Sequence, residues 1–221
     1  RVKEGRWEIC GAGWVEQDNN VACGEALVRQ FLYGNRFFER EFGVRSRTAW
    51  LPDSFGYPWS LPQILRKCGI ETFFTIKIGW NQFTRFPFGY FEWQGADGSH
   101  ITAVMPPMNY NISPSPANLI RQREAFPQKD LVDEEPFPYG FGDGGGGPTA
   151  EMIEYVRRFK DIVAAADVQR ITKWQRRDAI GRKAEQIALE QDRRTVSIGT
   201  VGAQGVAAAA RKRRIARIAT T

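Results

Sequence analysis

Apolar residues along the first part of the chain alternate between helical spacing and short continuous runs. Residues 25–42 carry apolar side chains at the spacing of one helix face, and Gly43 is placed to end that helix. The run "TAWLP" predicts a short strand that ends just before Asp53. Residues 60–69 indicate a second helix, and residues 72–78, "TFFTIKI", predict a second strand. This order is typical of parallel α/β structure.

The middle of the chain has a different pattern. The segment "YFEWQGADGSHITAVMP" contains two strand-like runs around an Asp-Gly turn, which predicts a hairpin. A further helix is expected over residues 117–126. The segment "PYGFGDGGGGPT" is expected to be an extended loop, because four consecutive glycines are costly to order in a helix or strand. An amphipathic helix, "AEMIEYVRRFKD", follows and is predicted to be capped by Thr149.

Charge divides the chain into two parts near Asp167. Residues 167–221 carry 13 Lys and Arg against 5 Asp and Glu, whereas the preceding 166 residues carry 18 against 20. We therefore predict a folded domain over residues 1–166 and a basic, disordered tail over residues 167–221 that stands apart from the fold. The tail is a solvated basic segment, a segment foreign to the domain such as an out-of-frame translation, or a nucleic-acid-binding tail. Its only aromatic residue is Trp174, which disfavours base stacking.

Composition removes several classes of protein. No apolar run approaches the roughly 18 residues of a membrane span, and the slightly acidic predicted domain argues against a nucleic-acid partner. Three widely spaced cysteines without a metal or redox motif predict free thiols and a cytoplasmic location; they are Cys10, Cys23 and Cys68. His100 is the single histidine, so a mechanism that needs two histidines from this chain is excluded.

Asp53 is the first candidate for chemistry. It follows a predicted strand of an α/β fold, where the carboxyl ends of strands face the active site. Phe55, Tyr57 and Trp59 follow it in the sequence. Aromatic rings supply flat apolar faces for a sugar, and the carboxylate supplies reactivity. The alternative is that Asp53 caps the following helix.

Asp143 in the glycine-rich loop is the second candidate. Loops often carry function, and glycines let a ligand approach the backbone closely. The alternative is a flexible loop in which Asp143 only forms a turn. A phosphate-binding loop is disfavoured because the Gly-Lys-Ser/Thr ending is missing. Two carboxylates that face one cleft are the minimum equipment of a glycosidase.

Five ordered segments carry a resemblance to a known family. They are "GRWEICGAGWVEQD", "GEALVRQFLYGNRFFEREFGV", "WLPDSFGYPWSLPQILRKCGI", "FFTIKIGWNQFTRFPFGYFEWQGADGSH" and "YGFGDGGGGPT". Together they resemble the catalytic domain of glycoside hydrolase family 38, the α-mannosidases, and most closely its cytosolic and microbial branch. The resemblance implies a seven-stranded β/α barrel, a retaining mechanism with a covalent glycosyl-enzyme intermediate, and a divalent metal, usually zinc. It also implies a substrate with terminal α-mannosides, that is, a mannose-containing oligosaccharide.

The resemblance assigns roles to four residues. The aspartate of the family's "PDxFGY" motif is its nucleophile and also a metal ligand, and this residue is Asp53. The aspartate of "GDGGGGPT" implies that Asp143 is the acid/base. Lys77 falls where the family places a base near the nucleophile, and Phe55 falls close to the sugar. Both are therefore expected to bind substrate.

Two parts of the family's metal site have no counterpart in this sequence. These are a His-x-Asp pair near the start of the domain and a histidine well downstream. We therefore expect an internal fragment of the catalytic domain, with an incomplete barrel, weak zinc binding and no activity on its own. The alternative function is an inactive carbohydrate-binding or structural remnant that lacks the metal site.

Overall fold

The computed structural model describes residues 1–132, 135–142 and 146–159, together with two strands at 195–197 and 217–219. Within these ranges it contains four α-helices, one 3₁₀-helix and six β-strands. In chain order they are α1 (Gly24–Phe42), β1 (Thr48–Trp50), α2 (Leu61–Lys67), β2 (Thr72–Phe74), the 3₁₀-helix (Lys77–Gly79), β3 (Tyr90–Gln94), β4 (His100–Val104), α3 (Pro116–Ala125), α4 (Ala150–Arg158), β5 (Thr195–Ser197) and β6 (Arg217–Ala219). No helix in the part of the chain that the structure describes is long and apolar enough to cross a membrane.

The six strands form one mixed sheet in the order β1-β2-β4-β3-β6-β5. Strands β1, β2 and β4 run parallel to one another, which confirms the parallel arrangement expected from the order of the elements. Strand β3 runs antiparallel to β4, so the predicted hairpin is also confirmed. The chain is therefore mixed α/β.

The turn of this hairpin is closed by a side chain. Asp97 accepts a hydrogen bond from the Ser99 amide at 3.0 Å and another from the Ser99 hydroxyl at 2.8 Å. Gly98 lies in the left-handed region with φ 82°, which only glycine adopts without strain. The Asp-Gly pair thus performs the role that the sequence indicated.

Helix α1 buries one face in the main hydrophobic core. Its buried side chains include Leu27 and Phe31, which join Leu51 and Phe73 in the main core. Burial of each such side chain contributes about 1.5–3 kcal/mol. The helix ends at Gly43, whose φ of 70° and N–H bond to the Glu39 carbonyl at 2.9 Å confirm the predicted cap.

One expectation about the end of an element was wrong, and one alternative for Asp53 does not hold. Strand β2 stops at Phe74 instead of reaching residue 78, because the chain turns into the 3₁₀-helix, where the Gly79 amide bonds to the Ile76 carbonyl at 2.9 Å. Lys77 therefore lies in a helical turn and not at the end of a strand. Asp53 does not cap α2, since that helix begins only at Leu61.

The helices predicted near residues 117–126 and 150–161 are α3 and α4. The Thr149 hydroxyl accepts a hydrogen bond from the Met152 amide at 3.2 Å, as expected of an N-cap.

Asp143 lies outside the described residues. Residues 167–221 also lie outside the described residues, except for strands β5 and β6. Strand β6 pairs in parallel with β3. The separate, disordered tail therefore stays a prediction.

Candidate active site

Three side chains meet beyond the carboxyl ends of the parallel strands. Asp53 follows β1, Lys77 follows β2 and Tyr110 follows β4. The Lys77 ammonium nitrogen lies 2.6 Å from Asp53 Oδ1. The Tyr110 hydroxyl donates to the same oxygen at 3.3 Å. The structure therefore brings together Asp53 and Lys77, as the family resemblance implied, and adds the phenol of Tyr110, which sequence reasoning did not indicate.

Lys77 is held in an aromatic setting. Its side chain is only 5% exposed, whereas that of Asp53 is 47% exposed. The ammonium nitrogen lies 3.3 Å from the centre of the Trp80 ring and 4.8 Å from that of Phe55. A buried charge needs compensation, and here it comes from one carboxylate and from the negative faces of aromatic rings. The Asp53 carboxylate is consequently fixed on one side and open to solvent on the other.

Glu16 holds the backbone of the same residue. The Asp53 amide donates to Glu16 Oε1 at 2.6 Å. Burial raises the pKa of the Glu16 carboxyl most strongly; the bond from the Asp53 amide and the charge of Lys77 lower it, and the Asp53 carboxylate raises it. Sequence reasoning missed Glu16, although it lies in the matched segment "GWVEQD". Its 37-residue separation from Asp53 left no local signal of the contact.

The Tyr57 hydroxyl contacts the loop that carries Asp53 from its buried side. The Tyr57 hydroxyl lies 3.0 Å from the Leu51 carbonyl oxygen, 2.8 Å from that of Ser54, and in hydrogen-bond contact with the Thr75 hydroxyl. Burial raises the pKa of the Tyr57 phenol well above its ordinary value, so the group stays a neutral donor. These contacts connect the loop after β1 to the segment after β2. They thereby join the two segments that carry Asp53 and Lys77.

The aromatic rings that lie beside Asp53 are not all the ones expected from the sequence. Phe55 is 71% exposed and meets Trp80, 56% exposed, edge to face at a centroid distance of 6.2 Å. Tyr57 instead turns inward and packs on Phe73, because its hydroxyl partners lie beneath the loop. Trp59 lies beside the β3–β4 hairpin, where its carbonyl accepts from the Ala96 amide. The exposed rings at the site are therefore Phe55 and Trp80.

The base of the glycine-rich loop is close to this site. Phe141 and Gly147 form a bridge, with the Phe141 amide bonded to the Gly147 carbonyl at 2.9 Å. A Cβ atom at Gly142 would lie 3.0 Å from the Tyr110 ring, so the backbone there passes directly against that ring. Gly142 immediately precedes Asp143 in the sequence. The position of Asp143 itself lies outside the described residues.

The described residues do not fit a zinc site. Among them there is no group of three or more His, Cys, Asp or Glu side chains that could hold a metal ion. Asp53 Oδ1 already contacts the Lys77 ammonium, which repels a cation. His100 is the first residue of β4, at the end of the strand opposite the one that leads to Tyr110, and its Nδ1 lies 3.0 Å from Glu92 Oε1. One carboxylate falls short of the four ligands typical of protein-bound zinc.

The known proteins that this chain resembles point to one family. Residues 1–183 match the family model described as "Glycosyl hydrolases family 38 N-terminal domain". The chain is 41% identical to "Alpha-mannosidase G" of Dictyostelium discoideum over 174 residues, which covers 76% of this chain and 16% of that protein. It is 39% identical to "Alpha-mannosidase 2C1" of Homo sapiens over 184 residues, which covers 83% of this chain and 18% of that protein.

The chain thus spans less than a fifth of the length of these curated relatives. Among solved structures, an α-mannosidase from Enterococcus faecalis V583 overlaps 47% of this chain and 12% of its own, with 20% identity and a TM-score of 0.38. A TM-score of that size does not establish a shared overall fold.

Proposed function

The chain belongs to the glycosyl hydrolase family 38 N-terminal domain family, and from this premise we propose that it supplies catalytic residues of a retaining α-mannosidase. The enzyme hydrolyses terminal α-mannosides of mannose-containing oligosaccharides. The observation that carries the proposal is the contact of 2.6 Å between the Lys77 ammonium and Asp53 Oδ1 at the carboxyl end of the parallel strands. It is supported by the name α-mannosidase of the relatives.

Asp53 is the nucleophile in this proposal. Because Oδ1 is engaged by Lys77 and Tyr110, we assign the attack to Oδ2. Oδ2 bonds to the anomeric carbon while the glycosidic C–O bond breaks and Asp143 gives its proton to the departing oxygen. A water molecule then attacks the same carbon, transfers a proton to Asp143 and releases Asp53, so that the configuration is retained.

Support for Asp143 comes from its neighbour. Gly142 lies against the ring of Tyr110, and the Tyr110 hydroxyl contacts Asp53. A retaining enzyme needs its two carboxyl groups about 5–5.5 Å apart. Phe55, exposed beside Lys77, is proposed to contact the sugar, and Lys77 to orient the nucleophile.

Zinc, the barrel and the location are proposals that rest on the family resemblance. Zinc, when bound, would fix the sugar hydroxyls and help to distort the ring. Because the described residues contain no group of three or more potential metal ligands, this chain alone is proposed to bind zinc weakly and to be inactive. A seven-stranded β/α barrel would require strands beyond those described. Three free cysteines support a cytoplasmic location.

The second candidate function is a sugar-binding or structural remnant. It is favoured by the absence of a metal-binding cluster among the described residues. An aryl α-mannoside assay of the full-length enzyme separates the two, because Asp53→Ala removes turnover under the first function and leaves it undiminished under the second. The same assay of the 221-residue chain with added zinc tests its proposed inactivity. Turnover by this chain that a chelator abolishes would contradict the proposed inactivity.

The assignment of Asp53 is tested in the full-length enzyme by trapping with a fluorinated mannosyl donor. Mass spectrometry is expected to find the covalent sugar on Asp53, and Asp53→Ala to remove both label and turnover. Asp130→Asn, an exposed carboxyl on the loop after α3, serves as the matched control and should leave both unchanged. A label on any other residue would overturn the assignment.

A further inference from the structure

The loop that carries Asp53 is bonded to a polar segment that precedes α1, residues 16–20. Three consecutive residues of the loop each contact a different residue of this segment. The contacts are hydrogen bonds from the Asp53 amide to Glu16 at 2.6 Å, from the Ser54 hydroxyl to the Gln17 carbonyl at 2.8 Å, and from the Asn20 side-chain amide to the Phe55 carbonyl at 3.0 Å. Nothing in the proposed mechanism uses Asn20.

The backbone at Asn20 is fixed within the segment itself. Asp18 Oδ1 accepts hydrogen bonds from the amides of Asn20 and Val21, both at 2.8 Å. Gln17 and Asn19 are buried, and their side chains bond to each other at 3.2 Å. The Asn20 side chain therefore reaches the Asp53 loop from backbone that its neighbours hold in place.

Gly56 leaves the room that Asn20 occupies. A Cβ atom at this position would lie 2.1 Å from Asn20 Nδ2, which is well inside van der Waals contact. The peptide group between Phe55 and Gly56 is thus fitted to Asn20 at both ends: its carbonyl accepts the Asn20 amide, and its glycine permits the approach.

The ring of Phe55 depends on its backbone for its direction. The residue is 71% exposed, so burial in the core does not hold the ring. The ring meets Trp80 edge to face at a centroid distance of 6.2 Å and lies 4.8 Å from the Lys77 ammonium. The rotamers open to a side chain depend on φ and ψ of the same residue. A bond that fixes the Phe55 carbonyl, and hence ψ, therefore restricts where the ring can lie.

We infer that Asn20 is a positioning residue for substrate binding, which acts through the Phe55 carbonyl to hold the Phe55 ring against the sugar that Asp53 attacks. Asn20 takes no part in making or breaking bonds. The inference rests on the proposed function, because there Phe55 contacts the sugar. The bond between Asn20 and Phe55 is exposed, so its loss should leave the melting temperature close to that of the wild type.

Kinetics of the full-length enzyme with an aryl α-mannoside test the inference. Asn20→Ala should raise KM about two- to tenfold, the range that the loss of one hydrogen bond allows. It should change kcat less than about twofold, because the binding that is lost is shared by the ground state and the transition state. Phe55→Ala should raise KM roughly 10–200-fold. In the Phe55→Ala background, Asn20→Ala should raise KM no further, because Asn20 acts through that ring.

Val21→Ala is the matched control, because Val21 is 87% exposed on the residue next to Asn20 and should leave KM and kcat unchanged. Asn20→Leu keeps the size of the side chain without its donor and should raise KM as Asn20→Ala does. Thermal unfolding of each variant measures its stability.

Unchanged KM in both Asn20→Ala and Asn20→Leu would overturn the inference and leave the proposed function standing. So would an equal effect of Asn20→Ala with and without the Phe55 ring, or loss of folding in both Asn20 variants. Unchanged KM in Phe55→Ala would overturn the proposed sugar contact and the inference with it.

Discussion

The backbone amide of Asp53 donates a hydrogen bond of 2.6 Å to Glu16, which lies in an irregular segment before α1. We expect Glu16→Ala to release the loop that carries Asp53 and to lower kcat/KM of the full-length enzyme about 100-fold, because small displacements of reacting groups cost that much. Glu16→Gln retains an oxygen acceptor and should recover most of the loss. Kinetics with an aryl α-mannoside measure both. Glu41→Ala, exposed on α1, is the control, and equal rates for Glu16→Ala and wild type would contradict the role.

The unequal exposure of Lys77 and Asp53 predicts unequal effects of removing either partner. Asp53→Ala leaves a buried ammonium without its carboxylate and should destabilise the chain by about 2–3 kcal/mol. Lys77→Met leaves a half-exposed carboxylate that water can solvate, so its cost should stay below about 1 kcal/mol. Urea unfolding of both variants measures the difference. Greater destabilisation by Lys77→Met than by Asp53→Ala would contradict the burial of Lys77 and the exposure of Asp53.

Glu135 predicts a dependence of stability on pH. Its side chain is buried, and neither carboxylate oxygen has a hydrogen-bond partner among the described residues. Burial raises the pKa of Glu135 from 4.5 to about 7, although nearby Arg123 lowers it somewhat. A pKa raised by folding means that the protonated form stabilises the fold. That stabilisation is complete below pH 4.5 and is lost as the pH rises through about 7.

Glu135→Gln cannot ionise and should remove this dependence. Between pH 4.5 and pH 8 the wild-type chain should lose about 2–3 kcal/mol of unfolding free energy that the variant retains. Urea unfolding across this pH range provides the measurement. Glu124→Gln, an exposed carboxyl on α3, should follow the wild type. Parallel curves for wild type and Glu135→Gln would disprove the assignment.

Two glycines of α1 should respond oppositely to alanine. A Cβ atom at Gly34 would lie 2.1 Å from the Ala12 carbonyl oxygen and 2.5 Å from the Gly13 carbonyl carbon. A Cβ atom at Gly24 would meet nothing within 4 Å. Gly34→Ala should therefore destabilise the chain by about 2–4 kcal/mol through overpacking. Gly24→Ala should be neutral or stabilising by up to about 1 kcal/mol, because alanine favours helix. Thermal unfolding compares them, and similar melting temperatures would refute the close packing.

Sequence patterns were sufficient for elements that local chemistry determines. The spacing of apolar residues in α1, the glycine after it and the Asp-Gly turn of the hairpin each act within a few residues. The limit appears at β2, where "TFFTIKI" has uniform strand propensity but the chain turns after Phe74. Tertiary contacts decide that point: the Thr75 amide bonds to the Val104 carbonyl, and its hydroxyl meets Tyr57.

At the site, the sequence indicated Asp53 and, through the family resemblance, Lys77 and Phe55. It did not indicate Glu16, Tyr110 or Trp80, because their contacts with the site join segments far apart in the chain. Tyr110 reaches Asp53 across 57 residues. The direction of each aromatic ring was likewise not predictable: Phe55 and Tyr57 are two residues apart, yet one faces solvent and the other the core.

The register of the parallel strands aligns the points at which the segments of the site leave the sheet. Trp50 pairs with Phe74, and Phe74 pairs with Val104, so these three residues form one row across the sheet. The segments that carry Asp53, Lys77 and Tyr110 all follow this row at the carboxyl ends of the strands. A loop can therefore change length or composition while the row stays in place. Under the proposed function, differences in substrate choice would then arise in the loops, while the row of the sheet from which the Asp53 loop departs does not have to change.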